Sequence, residues 1–398
     1  MYKNNLTEIL NSDLKSFIDE YLEEDMMKVA LKFSGKSVEG DPLILEQLKL
    51  YKKASIKLPT FTNAYCFFTS KSFEQASSEN LALYKASLFS GKKMLDLSGG
   101  LGVDDWAFSK KITSIISLDT DSKLNQIVRS NFKKLKLDNI ERLDEDATEY
   151  ILKSNHFDLV YLDADRRPSS NNKRVLGLND SMPNILQIKE RLFELTDTIL
   201  LKLSPMLDIS ALIGELKTVS EVFVVSLNNE VKELLLVLKN TSKDLTISAV
   251  DISKKTIQSF TSNEIKNVKD VSYSDEGSYF YEPSLSLIKS GLAKVYATEN
   301  KLSVLAVNSY FFVSDNYVED FFGRSFKVFN KIFFSKSAIK KYLSHHNITH
   351  ANVSKRNFPN EVDELKKLFL IKDGGDDYLF FSQNNSQQRL MFHCQKIN

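Results

Sequence analysis

Cysteine is nearly absent from this chain of 398 residues. Only Cys66 and Cys394 occur, far apart and without a partner motif. That excludes a disulfide framework and fits a reducing compartment. His345, His346 and His350 cluster, but no cysteine pair lies near them, so zinc is disfavoured and no metal is expected. Long apolar runs are missing too. No window approaches the length of a membrane span. The opening residues Met1–Glu8 contain no apolar stretch of signal-peptide type. A soluble cytoplasmic protein is the expectation. An excess of charge is also lacking: 53 Lys and Arg against 52 Asp and Glu give +1. Any attraction to nucleic acid must therefore be local. Internal repeats and low-complexity tracts are absent. What remains is 42% apolar and 26% charged, an ordinary globular composition long enough for two or three domains.

Residues 1–90 read as a helical region. Leu6, Ile9, Leu10, Leu14, Phe17 and Ile18 recur at helix spacing, and a later helix over about Ser78–Phe89 stops at Gly91. From Lys93 the pattern changes. Strands are expected at Met94–Leu97, Ser114–Leu118, Phe157–Leu162 and Thr198–Leu203, with helices at Leu124–Leu135 and Ile185–Leu195 between them. Strands alternating with helices imply a parallel, doubly wound α/β sheet of Rossmann-like type over residues 91–240. Glu221–Leu227 and Glu233–Leu238, joined by five residues, suggest an antiparallel hairpin at the sheet edge. Residues 241–320 suit a small α+β module, with strands at Leu245–Ile252 and Leu302–Val307 and a helix around Ser284–Ala293. Residues 321–398 form a basic segment. Thirteen Lys and Arg minus six Asp and Glu leave +7 there, and hence −6 on the remainder of the chain.

The chemistry gathers at strand ends. Asp96-Leu97-Ser98-Gly99-Gly100-Leu101-Gly102 follows one strand and precedes a helix near Val103. Glycine lets backbone approach a bound cofactor. A dinucleotide fingerprint started at Gly100 would need a third glycine where Asp105 stands. No Lys-Ser/Thr follows either, so this is not a Walker loop. A leading acid with Gly-x-Gly suits S-adenosylmethionine, which carries a cationic amino-acid end and no pyrophosphate. Asp119 ends the next strand, where a carboxylate can accept from ribose hydroxyls, with Asp121 the alternative. Asp146 follows a third strand, between Ser114–Leu118 and Phe157–Leu162, and could accept from the adenine amino group. Upstream, Gln75 and Ser77 could bond the cofactor; the competing reading is a helix N-cap by Ser77 or Ser78.

The reacting end is expected after the fourth strand, at Asp163-Ala164-Asp165-Arg166-Arg167. Asp163 could take a proton or hydrogen bond from an amine or amide. Arg166 and Arg167 could bind phosphate, or pair with an Asp to brace the loop. Lys202, within an apolar run, reads as a functional cation or as a residue snorkelling to water. Neither cysteine sits at a strand end, which disfavours carbon-5 pyrimidine methylation and favours a nitrogen or oxygen acceptor.

Several stretches resemble a known family. Phe73–Glu79, Asp96–Asp104, Asp163–Arg167 and Lys202–Asp208 are similar to bacterial class I methyltransferases with a C-terminal THUMP-like domain. Tyr281-Glu282-Pro283 with Lys289 resembles that family's ferredoxin-like module. Asn352–Pro359 and Gly374-Gly375 resemble its THUMP-like part, so the resemblance covers about residues 60–395. It implies four parts: a helical region over 1–90, the methyltransferase domain over 91–240, the ferredoxin-like module over 241–320 and the THUMP-like domain over 321–398. Because THUMP domains bind structured RNA, it also implies a tRNA or rRNA base as substrate. The local +7 agrees, and Phe326, Phe329, Phe333, Phe334, Tyr342 and Phe358 interleave with the cations. The family's fourth-strand loop reads Asp-Pro-Ala-Arg-Arg; here the proline is lost and Asp165 adds a negative charge. The alternatives are a methyltransferase of small molecules or proteins, and a non-catalytic RNA-binding protein retaining the fold.

Overall fold

The computed structural model describes residues 6–34, 41–163, 165–166, 178, 181–240, 244–253, 256–263 and 271–397. The chain divides into two compact units: Met1–Val219 with Leu236–Ser242, and Ser220–Leu235 with Lys243–Asn398.

The first unit opens with helices. Leu14–Tyr21, Met26–Phe33 and Pro42–Lys57 each begin at an aspartate that accepts backbone N–H groups: Asp13, Asp25 and Asp41. Pro59 does not merely break a helix; it starts the next, Pro59–Asn63, because the first turn needs no proline N–H. Strands β1 (Gly91–Asp96), β2 (Ile112–Leu118), β3 (Ile140–Leu143) and β4 (Leu159–Asp163) follow. Next come β5 (Asp165–Arg166) and β6 (Ser181–Met182), paired antiparallel, and then β7 (Ile199–Leu203). The main strands run parallel in the order β7-β4-β1-β2-β3. The strand order reverses between β1 and β4, so the C-terminal ends of these two parallel strands flank the crevice where such sheets bind ligands. β1 and β4 are buried through Met94–Asp96 and Leu159–Leu162, as both-face burial of a parallel sheet requires.

In the second unit, β8 (Val219–Leu227) and β9 (Glu230–Leu238) are neighbours joined by Asn228 and Asn229, both at positive φ. The connection is thus a tight two-residue turn of the kind hairpins favour, not five residues. The hairpin does not form a sheet edge. β10 (Thr246–Ile252) lies parallel to β8, and β11 (Ile257–Ser262) lies antiparallel to β10. Then follow β12 (Tyr279–Pro283), β13 (Ser303–Val304), β14 (Phe312–Ser314), β15 (Gly323–Phe333), β16 (Asn352–Lys355), β17 (Asp377–Gln383) and β18 (Arg389–Lys396). They form one sheet ordered β13-β14-β12-β15-β18-β17-β16. The helix expected around Ser284–Ala293 is two, Leu285–Lys289 and Ala293–Glu299, broken at Gly291 with φ +80°. The strand expected at Leu302–Val307 shrinks to Ser303–Val304. Apolar clusters flank the sheet, one around Ile339, Leu365 and Phe381, another around Phe280, Phe326 and Phe392. Among the described residues, no helix is long and apolar enough to cross a membrane.

Candidate cofactor and acceptor site

The loop after β1 is stitched to both neighbouring strands. Leu97 donates to the Tyr161 carbonyl at 3.0 Å, and Gly99 to that of Leu118 at 2.9 Å. Ser98 donates from its backbone (2.7 Å) and its hydroxyl (3.0 Å) to Asp96 Oδ1. The same hydroxyl accepts the Asp163 N–H at 2.7 Å. One serine therefore links the cofactor loop to the strand end expected to face the acceptor.

Beneath the loop lies a buried ionic cluster. Asp96 and Asp105 are both buried, and each has one oxygen (Asp96 Oδ2, Asp105 Oδ1) that accepts no hydrogen bond from the described residues. Burial raises both carboxyls, and the Asp105 charge raises Asp96 further. Arg142 and the Ser117 hydroxyl (2.6 Å) favour charge on Asp105, so Asp96 is the more strongly raised of the two. Arg142 is buried and donates to Asn125 Oδ1 (2.7 Å), Ser117 Oγ (2.7 Å) and the Gly100 carbonyl (2.8 Å).

Packing beneath the loop explains two of the glycines. A Cβ on Gly99 would stand 1.7 Å from Arg142 Nη1, and one on Gly102 would stand 2.6 Å from the Phe132 ring. Both glycines answer to the protein's own packing. Gly100 differs: at φ +47° its Cβ would meet only the Ser98 carbonyl, at 3.7 Å, so its outer side is open to a ligand.

Asp119 lies at the end of β2, partly exposed. Its oxygens accept Gly100 N–H (3.1 Å) and Asp121 N–H (2.9 Å), and Arg142 Nη2 approaches to 3.5 Å. Each carboxylate oxygen retains a lone pair for hydroxyl donors. Asp121 caps the helix Ser122–Lys134 instead. Asp146 caps the helix Ala147–Leu152 through Oδ1, which accepts Thr148 N–H (2.8 Å) and Glu149 N–H (3.3 Å). The set fits a cationic cofactor: an open glycine edge and partly exposed acids beside it.

Upstream, Ser78 is the N-cap of Glu79–Ser87. Ser77 faces inward, donating to Asp104 Oδ2 at 3.1 Å and accepting from Lys85 Nζ at 2.9 Å. Gln75 is exposed. Asp104 is a hub that the sequence reading missed. Lys85, wholly buried, lies 3.2 Å from its Oδ1, and the Tyr161 hydroxyl donates to Oδ2 at 2.8 Å. Burial opposes charge on Asp104, but Lys85, Lys202 and Tyr161 outweigh it and hold the carboxyl below its ordinary range. Signals existed: Lys85 lies on the apolar stripe Leu81, Ala82, Ala86, and Asp104 and Asp105 sit among Val103, Trp106 and Phe108. Charge on a buried face marks a partnered group.

Asp163 and Lys202 come together as neighbours across β4 and β7, with Lys202 Nζ ion-paired to Asp163 Oδ2. The loop-bracing cation among the described residues is thus a lysine of the next strand. The Arg166 side chain and the whole of Arg167 lie outside the described residues. A cavity of about 400 Å³ lined by Lys93, Ser114, Glu141, Tyr150 and His156 involves none of these groups.

In the second unit, two expected RNA-facing cations are spent internally. Glu282 on β12 is buried; its Oε2 accepts from both Nε and Nη2 of Arg324, and its Oε1 accepts from the Ser354 hydroxyl (3.2 Å) with Arg356 Nη2 at 3.6 Å. Arg356 also donates to the Tyr310 carbonyl at 2.8 Å. By contrast, Lys336, Lys340, Lys341 and His345 are exposed on the helix Lys336–His345.

Three family models match in succession. Residues 73–168 match the family described as conserved hypothetical protein 95, residues 279–321 a ferredoxin-like domain, and residues 323–396 a THUMP domain-like family. A crystal structure from Porphyromonas gingivalis W83, assigned as a methyltransferase, is 27% identical with TM-score 0.87, covering 98% of this chain and 99% of that one. A Listeria monocytogenes structure assigned as a class I S-adenosylmethionine-dependent methyltransferase is 13% identical, with TM-score 0.34, over 60% of this chain and 88% of that one. No curated protein matches the chain. The end-to-end likeness and the succession of domain matches agree with the strand-end chemistry: the chain is similar to class I, S-adenosylmethionine-dependent methyltransferases that carry a ferredoxin-like domain and a C-terminal THUMP-like domain.

Proposed function

We propose that the chain transfers a methyl group from S-adenosylmethionine to a base nitrogen of structured RNA, tRNA or rRNA. The observation that carries this reading is the THUMP-like match over residues 323–396, whose helix exposes Lys336, Lys340 and Lys341. Phosphate neutralisation by such cations supplies most sequence-independent affinity for RNA. Asp96, Ser98, Gly99, Gly100 and Gly102 form the loop that receives the cofactor, which supplies the electrophilic methyl group when bound. Asp119 takes the ribose hydroxyls and Asp146 the adenine end. Ser77 acts through Asp104, and Gln75 covers the site from outside. At the acceptor, Asp163 accepts a hydrogen bond from the nucleophilic nitrogen. Lys202 holds that carboxylate in place, and Arg166 and Arg167 take a phosphate. Two free, buried cysteines support a cytoplasmic setting.

Calorimetry with S-adenosylmethionine and transfer of labelled methyl to total RNA test the reading. Wild type binds the cofactor, Asp119→Ala weakens binding about tenfold or more, and label enters RNA with wild type but not with Asp163→Ala. Label confined to protein or small molecules would overturn the RNA assignment.

A further inference from the structure

Six aromatic side chains interleave with the C-terminal cations, and the fold separates them. Phe326 and Phe358 are buried in apolar clusters, Phe334 packs beside Phe358, and Tyr342 is half-buried. Phe329 and Phe333 are each 52% exposed. Phe333 ends β15, with the Lys331 ammonium 5.6 Å from its ring centre. Phe329 occupies the register break between Val328 and Asn330, where β15 bulges against β18. A bulge re-aims the side chain it carries.

The Phe329 ring opens a row of four. Its centre lies 5.3 Å from His393, His393 lies 5.7 Å from Tyr342, and Tyr342 lies 4.3 Å from His346. The row is anchored from below. His393 is buried, with Nδ1 2.8 Å from the Tyr342 hydroxyl and Nε2 2.8 Å from Asp377 Oδ1. Around Phe329 the surface is polar. Lys327 and Gln395 are exposed cross-strand partners, and both share the sheet face of His393 by strand alternation. Lys341 and His345 are exposed one helical turn apart on the helix that carries Tyr342.

Chemistry selects the occupant. One half-exposed ring set among Lys, Gln, Asn and His offers far too little apolar area for a stable protein interface. A single unpaired base needs only such a ring, with cations within reach of the flanking phosphates. We propose that Phe329 is the platform on which the RNA stacks an unpaired base, with Lys327 and Lys341 taking the adjoining phosphates. This rests on the RNA reading above.

The test uses the full chain, with unfractionated tRNA and, in parallel, rRNA as probes, across a salt series. Phe329→Ala weakens binding about five- to hundredfold at every salt concentration, and because the ring carries no charge the salt dependence keeps its slope. Phe329→Tyr retains affinity, and Phe333→Ala, exposed to the same degree, binds as wild type. Equal affinity of Phe329→Ala and wild type overturns the platform and leaves the RNA reading standing. Failure of the wild type to bind either RNA overturns both. Unchanged thermal melting of Phe329→Ala separates lost stacking from lost folding.

Discussion

Asp96 ends β1 with its carboxyl withdrawn from solvent beside a second buried acid, Asp105. As the acid leading a glycine loop, it reads as a free carboxylate waiting for a cation. Folded, it is buried beside Asp105 and is tied by Ser98. Burial and the Asp105 charge raise its pKa above the ordinary 3.8. The folded chain therefore binds more protons than the unfolded one between those two values. Stability from this proton is full in acid and is lost as pH rises through the folded value. Asparagine at 96 keeps a donor toward Asp105 and an acceptor for Ser98, but cannot ionise. Urea denaturation from about pH 5 to about pH 9 is thus expected to show wild-type midpoints falling relative to those of Asp96→Asn. Parallel curves for the two proteins would mean that Asp96 is already ionised in the native state.

At the scale of elements, the glycine loop separates packing from binding. Gly99 lies against Arg142, which three hydrogen bonds hold in a buried slot, so Gly99→Ala forces the guanidinium to move. Overpacking of this kind costs about 1–3 kcal/mol. Gly100→Ala meets open space but must hold φ +47°, which costs about 1–2 kcal/mol and obstructs the ligand edge. Thermal melts and calorimetry together should show Gly99→Ala lowering stability, with Gly100→Ala losing more cofactor affinity for its stability cost. A Gly99→Ala protein as stable as wild type would show that Arg142 does not brace the loop. Much of this unit was legible in the sequence, because strand-helix alternation and the apolar runs of β1, β4 and β7 follow from local periodicity. The ends of Ile185–Leu195 coincide with expectation, since Asn184 caps one and Thr196 leaves the helix at the other. The positions of Asp119, Asp163 and Lys202 at β2, β4 and β7 were legible because strand ends announce themselves. Arg142 and Lys85 were not: their meaning lies in partners dozens of residues away. The Glu282 pair with Arg324 and Arg356 is likewise a tertiary fact, and it turns two apparent RNA-binding cations into structural ones.

For the molecule as a whole, that reassignment bears on how strongly the chain attracts RNA. The basic segment carries +7 by sequence. Glu282 pairs with Arg324 and Arg356, and Asp275 and Glu276 pair with Lys331, all from outside that segment. Subtracting these three acids from +7 leaves +4. Lys355 and Lys366 are further engaged by Glu361 and Asp373, already within the count. Binding must then lean on the exposed cations carrying no ion pair among the described residues, such as Lys327, Lys340 and Lys341. Each lysine that meets a phosphate contributes about one unit to the slope of log affinity against log salt. Lys340→Ser with Lys341→Ser should therefore weaken RNA binding at low salt and flatten that slope by about 2. Substituting Arg324 should instead lower thermal stability, because it leaves the buried Glu282 Oε2 without the guanidinium that donates to it twice. Calorimetry on the double variant should return wild-type affinity for S-adenosylmethionine, since neither lysine belongs to the first unit. An unchanged salt slope would locate the RNA on some other surface of the protein.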